Sequence, residues 1–479
     1  MKVICHCIVI CWSAALLASP AFGQHPFQLH QAVSGDYAEL PDQTAPNGPE
    51  FGYSVDISGS WMAVGAPGTI LDAGGSRRGA VFLFRSQDDD WQLVQRIEPP
   101  VNNAAGSDAR CGHSVALTGS RLAIGCPGAG LLFDPDSENG ATLFYNRISA
   151  DEWEFQSAFV GSEGERCGTD VSVATTPITI PAMATAVSGC PDFNSSRGQV
   201  RVYSFDGSDW AFNTTITSSD GGSGDSFGHS VALHRSCTFV PTPSCLTRLA
   251  VGAPDKQHGS ANLAGSAYVF NGSWTETDVF THVNPESFAG TLYGIAVDIN
   301  STQLVIGSAH GWNVECSNYP RCGMVYHYEF SGGSWSQVSG GGAINDGGNP
   351  PGQQQGMGFG RAVALGFDNW VAIGAPFTDG PDGSMGTWQD LGMAELRRGD
   401  NGAWGASWSD SRGELRPPGP SVIDRDDSQF GFSLNFGGER WLAAGLPRTP
   451  TSGAFGAPPR GAVWIYNVPD GIFSDRFEE

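Results

Sequence analysis

The sequence predicts an all-β protein, a seven-bladed β-propeller of four-stranded antiparallel blades closed by the N-terminal strand. Two observations support this prediction. A short motif begins seven times along the chain, at spacings of 56 to 71 residues, and the last repeat lacks a strand that the N-terminus can supply. One four-stranded sheet per repeat, arranged around a ring, is the architecture of a propeller.

Each repeat begins with an aromatic residue or a cysteine followed by glycine, and its second apolar stretch ends in Gly-Ala-Pro or a variant of it. The clearest copies run from Phe51-Gly52 to Gly65-Ala66-Pro67, from Phe227-Gly228 to Gly252-Ala253-Pro254, and from Phe359-Gly360 to Gly374-Ala375-Pro376. Degenerate copies begin at Cys111, Cys167, Tyr293 and Phe430. The two stretches of each copy are separated by a small turn, which predicts a hairpin of strands A and B.

Two further signals follow the copies. One is a glycine leading into a β-rich run, such as Gly79 to Phe84, and it predicts strand C. The other is a tryptophan that opens a further strand, D. The candidates are Trp91, Trp153, Trp210, Trp274, Trp335 and, less clearly, Trp404 or Trp408.

The N-terminus supplies the strand that the seventh repeat lacks. No tryptophan strand follows Tyr466, but residues 27–33 (FQLHQAV) align with residues 91–97 (WQLVQRI), the D strand of the first repeat. We therefore predict that residues 27–33 form the outer strand of the blade that contains Gly461 to Tyr466. This pairing would leave no unpaired strand edge where the two ends of the chain meet in the last blade.

The ends of the chain predict secretion. Residues 1–23 have the features of a signal peptide: Lys2, an apolar run, and the small residues Ala21 and Gly23 before the expected cleavage. The propeller is expected to span residues 24–468, followed by a short acidic tail at 469–479. No later stretch is long and apolar enough to cross a bilayer, so we expect an extracellular, cell-surface or periplasmic protein, most simply a monomer.

Charge excludes one class of partner. The formal net charge is −24, and it becomes −25 once Lys2 leaves with the signal peptide, because residues 1–23 contain no acid. Lys256 is then the one remaining lysine. A surface of this sign repels phosphate backbones and argues against nucleic acid as a ligand.

The repeats resemble FG-GAP repeats, and the chain is similar to secreted bacterial FG-GAP proteins and to the β-propeller head of integrin α-subunits. The resemblance covers residues 24 to about 468, and it implies a binding or adhesion role. Integrin heads also carry Asp-x-Asp-x-Asp-Gly calcium loops between strands A and B. The A–B turns here, such as Ser58-Gly59-Ser60, are too short and lack the acids, so those sites are not expected.

The mature chain has eight cysteines, which suits an oxidising compartment. Two repeats replace the aromatic of the first motif by cysteine, and the same two replace the alanine of Gly-Ala-Pro. This paired replacement predicts disulfides within the A–B hairpins; local spacing predicts two more, although free thiols or metal binding would also explain the residues. The predicted pairs are Cys111–Cys126, Cys167–Cys190, Cys237–Cys245 and Cys316–Cys322.

The long loops predict where a ligand binds. In an antiparallel meander the B–C and D–A loops share one face, and the A–B and C–D turns share the other. The B–C loops are long and acidic, and long loops on a rigid scaffold commonly carry binding residues. The acids on this face are Asp72, Asp134, Asp136, Glu138, Asp255, Asp379, Asp382, Asp424, Asp426 and Asp427.

Three sequence features are candidate sites. Asp134, Asp136 and Glu138 stand at alternate positions, as in calcium loops, but the following glycine comes one place late, so a solvated acidic loop is favoured over a calcium site. Arg398-Gly399-Asp400 spells an adhesion tripeptide at a predicted C–D turn, where a turn sequence is needed anyway. His113 and His229 share one repeat position, which favours a role in the scaffold over catalysis.

The functional hypotheses therefore come from different classes. The first is an extracellular binding or adhesion scaffold that holds a protein or glycan ligand on the B–C/D–A face. The second is a lectin-like propeller, because tryptophans can stack on sugars. The third is a propeller lyase or hydrolase, which requires titratable residues to converge at one axial mouth. No nucleophile, metalloprotease or phosphate-loop motif is present, and no cofactor other than calcium is suggested.

Overall fold

The computed structural model describes most of the chain between residues 28 and 467. The described residues are 28–34, 48–70, 75–100, 108–130, 138–176, 183–238, 244–282, 290–309, 323–338, 343–344, 358–367, 369–378, 390–398, 411–415, 428–438, 440–448 and 460–467. No helix among them is long and apolar enough to span a membrane. The predicted signal peptide and the acidic tail lie outside these ranges.

Seven antiparallel sheets make up the fold, each of four strands except for one extra short strand in the fifth. The described strands are β1 (Gln28–Ser34), β2 (Ser54–Ser58), β3 (Trp61–Ala66), β4 (Ala80–Gln87), β5 (Asp90–Ile97), β6 (Ser114–Thr118), β7 (Arg121–Cys126), β8 (Ala141–Arg147), β9 (Trp153–Val160), β10 (Val171–Thr175), β11 (Ala184–Cys190), β12 (Gln199–Phe205), β13 (Trp210–Ile216), β14 (Ser230–Thr238), β15 (Ser244–Ala253), β16 (Ser266–Asn271), β17 (Glu276–Phe280), β18 (Tyr293–Ile299), β19 (Gln303–Ser308), β20 (Met324–Ser331), β21 (Ser334–Gln337), β22 (Ala343–Ile344), β23 (Ala362–Leu365), β24 (Trp370–Ala375), β25 (Met393–Arg398), β26 (Ser411–Leu415), β27 (Ser433–Gly437), β28 (Trp441–Leu446) and β29 (Ala462–Asn467). One turn, α1 (Phe193–Ser196), is the helical element of the described chain.

Blades 1 to 6 follow the chain from β2 to β26, and blade 7 contains β27, β28, β29 and β1. The first strand of each blade, A, contacts the first strand of the next, and β27 contacts β2 to complete the circle. Strand A is therefore innermost, and strand D lies at the rim. The seven-bladed prediction is confirmed.

The N-terminal strand closes the ring as predicted. β1 pairs antiparallel with β29, with Leu29 opposite Tyr466 and Val33 opposite Val463. It thus forms the outer strand of blade 7, in a sheet whose other three strands come from the C-terminal end of the chain. Main-chain hydrogen bonds between β1 and β29 thus join the two ends of the domain.

Three details of the outer strands differ from the sequence prediction. Trp274 does not open a strand: it lies in the C–D turn with φ 60°, two residues before β17 begins. In blade 6 the outer strand begins at Ser411, after both Trp404 and Trp408, which lie outside the described residues. In blade 5 a second short segment, β22, pairs with β20 beside β21.

The repeat glycines allow neighbouring blades to touch through their backbones. Gly112, which follows the first motif position of blade 2, has φ +85°, a conformation that side chains disfavour. Its carbonyl oxygen lies where a Cβ on Gly65 of blade 1 would sit. The same relationship recurs at all seven interfaces, so both glycines are required by close packing between blades.

The hydrophobic core is divided into seven clusters, one between each pair of adjacent blades. Phe51 is typical, because it is fully buried and belongs to a cluster that joins Phe82 of blade 1 to Val463 of blade 7. The ring is thus stabilised at every interface by apolar burial, the largest favourable contribution to folding. A propeller without any one blade would leave two such faces exposed.

Candidate functional site at the axial mouth

The residue after each repeat glycine lies within two residues of the start of the innermost strand, at the axial mouth on the B–C/D–A face. These seven residues, called the mouth ring below, are Tyr53, His113, Thr169, His229, Ile295, Arg361 and Phe432. Two positions later, all seven repeats carry valine or leucine. The backbone therefore repeats while the side chains at the mouth differ.

Part of the mouth ring is joined by direct contacts. The ring of Tyr53 lies 4.8 Å from that of His113 and 4.7 Å from that of Phe432, measured between centroids. The guanidinium carbon of Arg361 lies 5.3 Å from the centroid of Phe432, within the range of a cation–π interaction. Four blades thereby contribute to one continuous arc of side chains.

Hydrogen bonds fix the tautomer of His113. Its Nδ1 lies 2.8 Å from the carbonyl oxygen of Thr169, which can only accept, so Nδ1 carries the proton. Its Nε2 then accepts the hydroxyl proton of Tyr53 at 3.1 Å. Burial, with Arg110 as the next cause, lowers the pKa of His113 to about 3, so the ring is neutral at physiological pH.

His229 faces the same mouth from the opposite side. Burial lowers the pKa of His229 to about 3, with further contributions from Arg361 and Arg166. His113 and His229 also influence each other electrostatically. The sequence interpretation of these histidines as scaffold residues did not reveal that both side chains converge on the axis.

Three buried aspartates lie close to the mouth ring: Asp56 and Asp298 on innermost strands, and Asp170 directly before β10. Burial raises the pKa of Asp56 to about 7 and those of Asp170 and Asp298 to about 6. Each carboxylate accepts a main-chain N–H from the next blade: Asp56 from Leu117 at 2.6 Å, Asp170 from Val231 at 2.8 Å, and Asp298 from Leu365 at 2.7 Å.

Four acceptors of this kind occupy one repeat position, five residues after the residue that begins their repeat: Asp56, Asp298, Asn435 and Ser172. Each accepts a main-chain N–H from the next blade, from the residue six places after the one that begins that repeat. Strand A is the inner edge of each sheet, so its N–H groups would otherwise lack partners. Side chains of one blade therefore accept hydrogen bonds from N–H groups on the inner edge of the next blade.

The comparisons with known proteins agree with the repeat pattern. A family model described as "FG-GAP repeat" matches residues 42–84, in blade 1, and residues 210–270, from the outer strand of blade 3 through strand C of blade 4. The chain contains FG-GAP repeats. The match agrees with the seven-bladed topology, in which these residues belong to blades 1, 3 and 4.

Other comparisons add little. No curated protein matches the sequence. Among solved structures, a chain of an S. cerevisiae complex, a Dbp5 variant bound to Nup159, a Gle1 variant, IP6 and ADP, is similar over 92% of this protein and 95% of its own length. Its sequence identity is 10% and the TM-score is 0.39, so this likeness supports no conclusion.

The FG-GAP propeller carries three disulfides in its described residues. They join Cys111 to Cys126, Cys167 to Cys190 and Cys237 to Cys245, the pairs that the sequence predicts. The first two link the start of strand A to the end of strand B in blades 2 and 3. Cys316 and Cys322 lie outside the described residues, so their pairing stays a prediction.

The predicted calcium loop is described only at one residue. Asp134 and Asp136 lie outside the described residues, while Glu138 is exposed and its carboxylate lies 3.5 Å from Nε of Arg166. Arg166 also lies 3.5 Å from Asp192. Glu138 therefore faces a cation of the protein itself, and calcium binding by this loop remains an untested prediction.

The other acids predicted on this face fall into two groups. Asp255 is described, and it accepts a hydrogen bond from the hydroxyl of Ser226 at 2.7 Å. Asp72, Asp379, Asp382, Asp424, Asp426 and Asp427 lie outside the described residues. The adhesion-type tripeptide is described only at Arg398, which ends β25, and not at Gly399 or Asp400.

Lys256 forms a buried ion cluster that the sequence analysis did not predict. Its ammonium lies 3.1 Å from a carboxylate oxygen of Asp220 and 3.2 Å from one of Asp225, and its side chain is 7% exposed. Tyr268 donates its hydroxyl proton to Asp220 at 2.8 Å. The cluster joins the loop before blade 4 to the B–C loop of that blade.

The described tryptophans pack inside the propeller. Seven of them are no more than 5% exposed, and Trp274 and Trp335 are half-buried. The seven are Trp61, Trp91, Trp153, Trp210, Trp370, Trp441 and Trp464. These seven tryptophans therefore serve packing between blades, and only Trp274 and Trp335 among the described tryptophans are partly exposed.

Proposed function

We propose that this protein is an extracellular binding scaffold that recognises a protein or glycan ligand on its B–C/D–A face, centred on the mouth ring. The FG-GAP propeller fold is consistent with an integrin-like scaffold. The disulfides are compatible with an oxidising compartment, which supports an extracellular location.

One observation carries the proposal. The mouth ring holds six different residue types among the seven copies of one repeated backbone position, whereas the glycine before it is the same in every repeat and the apolar residue two places after it hardly changes. Where packing alone determines a residue, the same residue type recurs in every repeat. A position that varies chemically while its backbone is fixed is suited to specific recognition.

The mouth also suits recognition by its chemistry. Tyr53 and Phe432 offer aromatic surface, Arg361 offers a guanidinium, and the two histidines are neutral. Among the described residues, Arg361 has no carboxylate within ion-pair distance. A few polar groups set among apolar rings are the usual composition of a binding site.

The convergence of titratable groups at the mouth also bears on the enzyme hypothesis. Tyr53 and His113 form a hydrogen-bonded pair, as nucleophile and base would. A pKa of about 3, however, makes His113 a weak proton acceptor at neutral pH, where an efficient general base has a pKa near that of the solution. The pair is therefore better suited to binding than to proton transfer.

The experiment is a binding screen with matched variants on the two faces. The purified protein is tested on a glycan array and on immobilised extracellular matrix proteins. For any ligand found, Arg361→Ala should weaken binding roughly tenfold or more, since a desolvated arginine contact is worth more than 1.4 kcal/mol. Asp206→Ala, in an exposed C–D turn on the opposite face, should leave affinity unchanged.

Two results would contradict the proposal. One is an unchanged affinity in Arg361→Ala together with a loss in Asp206→Ala, which would place the ligand on the other face. The other is the absence of binding to every glycan and matrix protein on the two panels. Near-ultraviolet circular dichroism of both variants confirms that any loss is not due to unfolding.

A further inference from the structure

A buried carboxylate lies against one of the disulfides. Oε2 of Glu165 is 3.4 Å from Sγ of Cys167, and Glu165 is 5% exposed. One ligand atom from each of Glu165, Cys167 and Cys190 lies within 4.8 Å of the other two, and all three residues are buried. In the disulfide form the sulfurs carry no proton and no charge, so they bind no metal.

We propose that Glu165, Cys167 and Cys190 bind a zinc ion when the disulfide between the two cysteines is reduced. Zinc bonds of about 2.3 Å to sulfur and about 2.1 Å to oxygen place ligand atoms within about 4.6 Å of one another. The carboxylate oxygen of Glu165 already lies near Sγ of Cys167, and the two sulfurs, which are bonded to each other in the disulfide, must move apart after reduction to reach that geometry. Two thiolates and a carboxylate are common zinc ligands, and a water molecule would complete four-coordination.

Asn139 provides a second polar group at the same place. Its carbonyl oxygen accepts the main-chain N–H of Cys167 at 3.1 Å. Its side-chain Oδ1 is buried and accepts no hydrogen bond from the described residues. We expect this oxygen to accept a hydrogen bond from a zinc-bound water, the kind of outer contact that orients ligands at metal sites.

The charges balance when zinc enters. Glu165 is paired with Arg201, with 2.6 Å between a carboxylate oxygen and a guanidinium nitrogen. With the disulfide intact, this pair is neutral. Two thiolates, one carboxylate, one zinc ion and Arg201 also sum to zero, so the buried site keeps the neutrality that low-dielectric surroundings favour.

The chemistry requires a reductant from outside the protein. A phosphine and water convert the disulfide to two thiols and a phosphine oxide. Zinc then displaces the two thiol protons, forms two zinc–sulfur bonds and releases two protons to solvent. Reoxidation by a disulfide oxidant would expel the metal, so the site would respond to the redox state of its surroundings.

Blade 2 contains a matched control. Cys111 and Cys126 occupy the same repeat positions as Cys167 and Cys190, and their sulfurs are also bonded. The residue two places before Cys111 is Ala109, where blade 3 has Glu165. Blade 2 therefore has the dithiol without the carboxylate, and we expect no zinc site of comparable affinity there.

The test measures metal binding by the full chain. Protein is reduced with a phosphine, freed of reductant under argon, and titrated with cobalt and then zinc. We expect one equivalent of metal, with the thiolate-to-cobalt charge-transfer bands and visible bands of a tetrahedral site. The double variant Cys167→Ser/Cys190→Ser should abolish these bands, and Cys111→Ser/Cys126→Ser should retain them. Glu165→Gln should weaken zinc binding roughly tenfold or more, as for loss of a direct ligand.

Near-ultraviolet circular dichroism accompanies every titration. If reduction loosens the fold, recovery of the native spectrum on addition of zinc supports the proposal, because binding free energy then contributes to folding. The proposal is overturned if reduced wild-type protein takes up no metal. It is also overturned if the metal remains in Cys167→Ser/Cys190→Ser and is lost from Cys111→Ser/Cys126→Ser.

Discussion

The side chain of Gln31 forms two hydrogen bonds with the main chain of Trp91. Its Nε2 donates to the Trp91 carbonyl oxygen at 2.9 Å, and its Oε1 accepts the Trp91 N–H at 2.7 Å. Gln95 binds the main chain of Trp153 in the same way, at 2.9 and 2.8 Å. The outer strands of blades 1 and 2 are thus joined by one side chain, and the N-terminal strand joins blade 7 to blade 1 by the same contact.

We predict that Gln31→Ala lowers the free energy of unfolding by about 1–3 kcal/mol. The substitution removes two hydrogen bonds and leaves the Trp91 N–H and carbonyl without those partners. Gln95→Ala should cost a similar amount, since the geometry is the same. Urea denaturation followed by tryptophan fluorescence measures both changes.

The control is Gln92→Ala, on the same strand as Trp91 but with an exposed side chain. Its effect should stay within about 0.5 kcal/mol, as for most surface substitutions. A Gln31→Ala protein as stable as Gln92→Ala would show that the paired hydrogen bonds do not secure the ring.

The alignment of residues 27–33 with residues 91–97 predicted the strand that closes the ring, and Gln31 and Gln95 explain why. Both glutamines form the same pair of hydrogen bonds from the same position of the outer strand, so the same residue appears in both segments of the alignment. Repeated constraints of this kind also identified the seven blades. They arise from close packing, which acts equally at every interface.

The mouth ring was not predicted, for the same physical reason. Its side chains are not required by packing, so Tyr53, Thr169 and Arg361 share no pattern that a single sequence could reveal. The cluster around Lys256 also depends on two loops that are distant in sequence from each other. A signal was nevertheless present, because His113 and His229 occupy the same position on innermost strands.

The disulfides of blades 2 and 3 provide the second prediction. Mass mapping of non-reduced peptides from the native protein should recover Cys111 linked to Cys126 and Cys167 linked to Cys190. Replacing the first pair by alanine should cost roughly 3 kcal/mol on the chain-entropy model, since the link spans 15 residues. Free thiols at all four positions would contradict the pairing.

The third prediction concerns pH. Because the pKa of Asp56 is raised from 3.8 to about 7, the folded state binds its proton more tightly than the unfolded state does. Asp56 therefore lowers stability progressively as pH rises from about 4 to about 7. Asp56→Asn removes this dependence and should be more stable than wild type at pH 8, by about 1–3 kcal/mol, with little advantage at pH 4.

Asn435 shows why the amide should fit at position 56. It stands at the equivalent position of blade 7 and accepts the N–H of Ile57 at 3.0 Å. Asp56→Ala is the control, because it removes the acceptor for Leu117 and should be less stable than Asp56→Asn at every pH. Urea unfolding at pH 4, 6 and 8 distinguishes the variants, and equal pH profiles for wild type and Asp56→Asn would refute the assignment.

The fourth prediction concerns Lys256. Lys256→Met should lower stability by about 3 kcal/mol, because it leaves the buried carboxylate of Asp225 without its cation. Adding Asp225→Asn should recover part of that loss, and a double-mutant cycle gives the coupling. Amine-reactive reagents should label Lys256 only after denaturation, since its side chain is 7% exposed. Rapid labelling of the native protein would show that the cluster is open.

The last prediction separates the two faces of the disc. The sequence predicts that Asp400 lies in the C–D connection of blade 6, between β25 and β26, and the mouth ring lies on the B–C/D–A face. For any ligand of the scaffold, Asp400→Ala should change binding by no more than about 0.5 kcal/mol, as for a surface turn residue. Joint replacement of Asp134, Asp136 and Glu138 by alanine should weaken any calcium-dependent binding, because a hard cation needs several oxygen ligands. Binding is measured with and without a chelator. Loss of binding in Asp400→Ala, with no effect of the triple change, would mean that the ligand binds the face of the A–B and C–D turns.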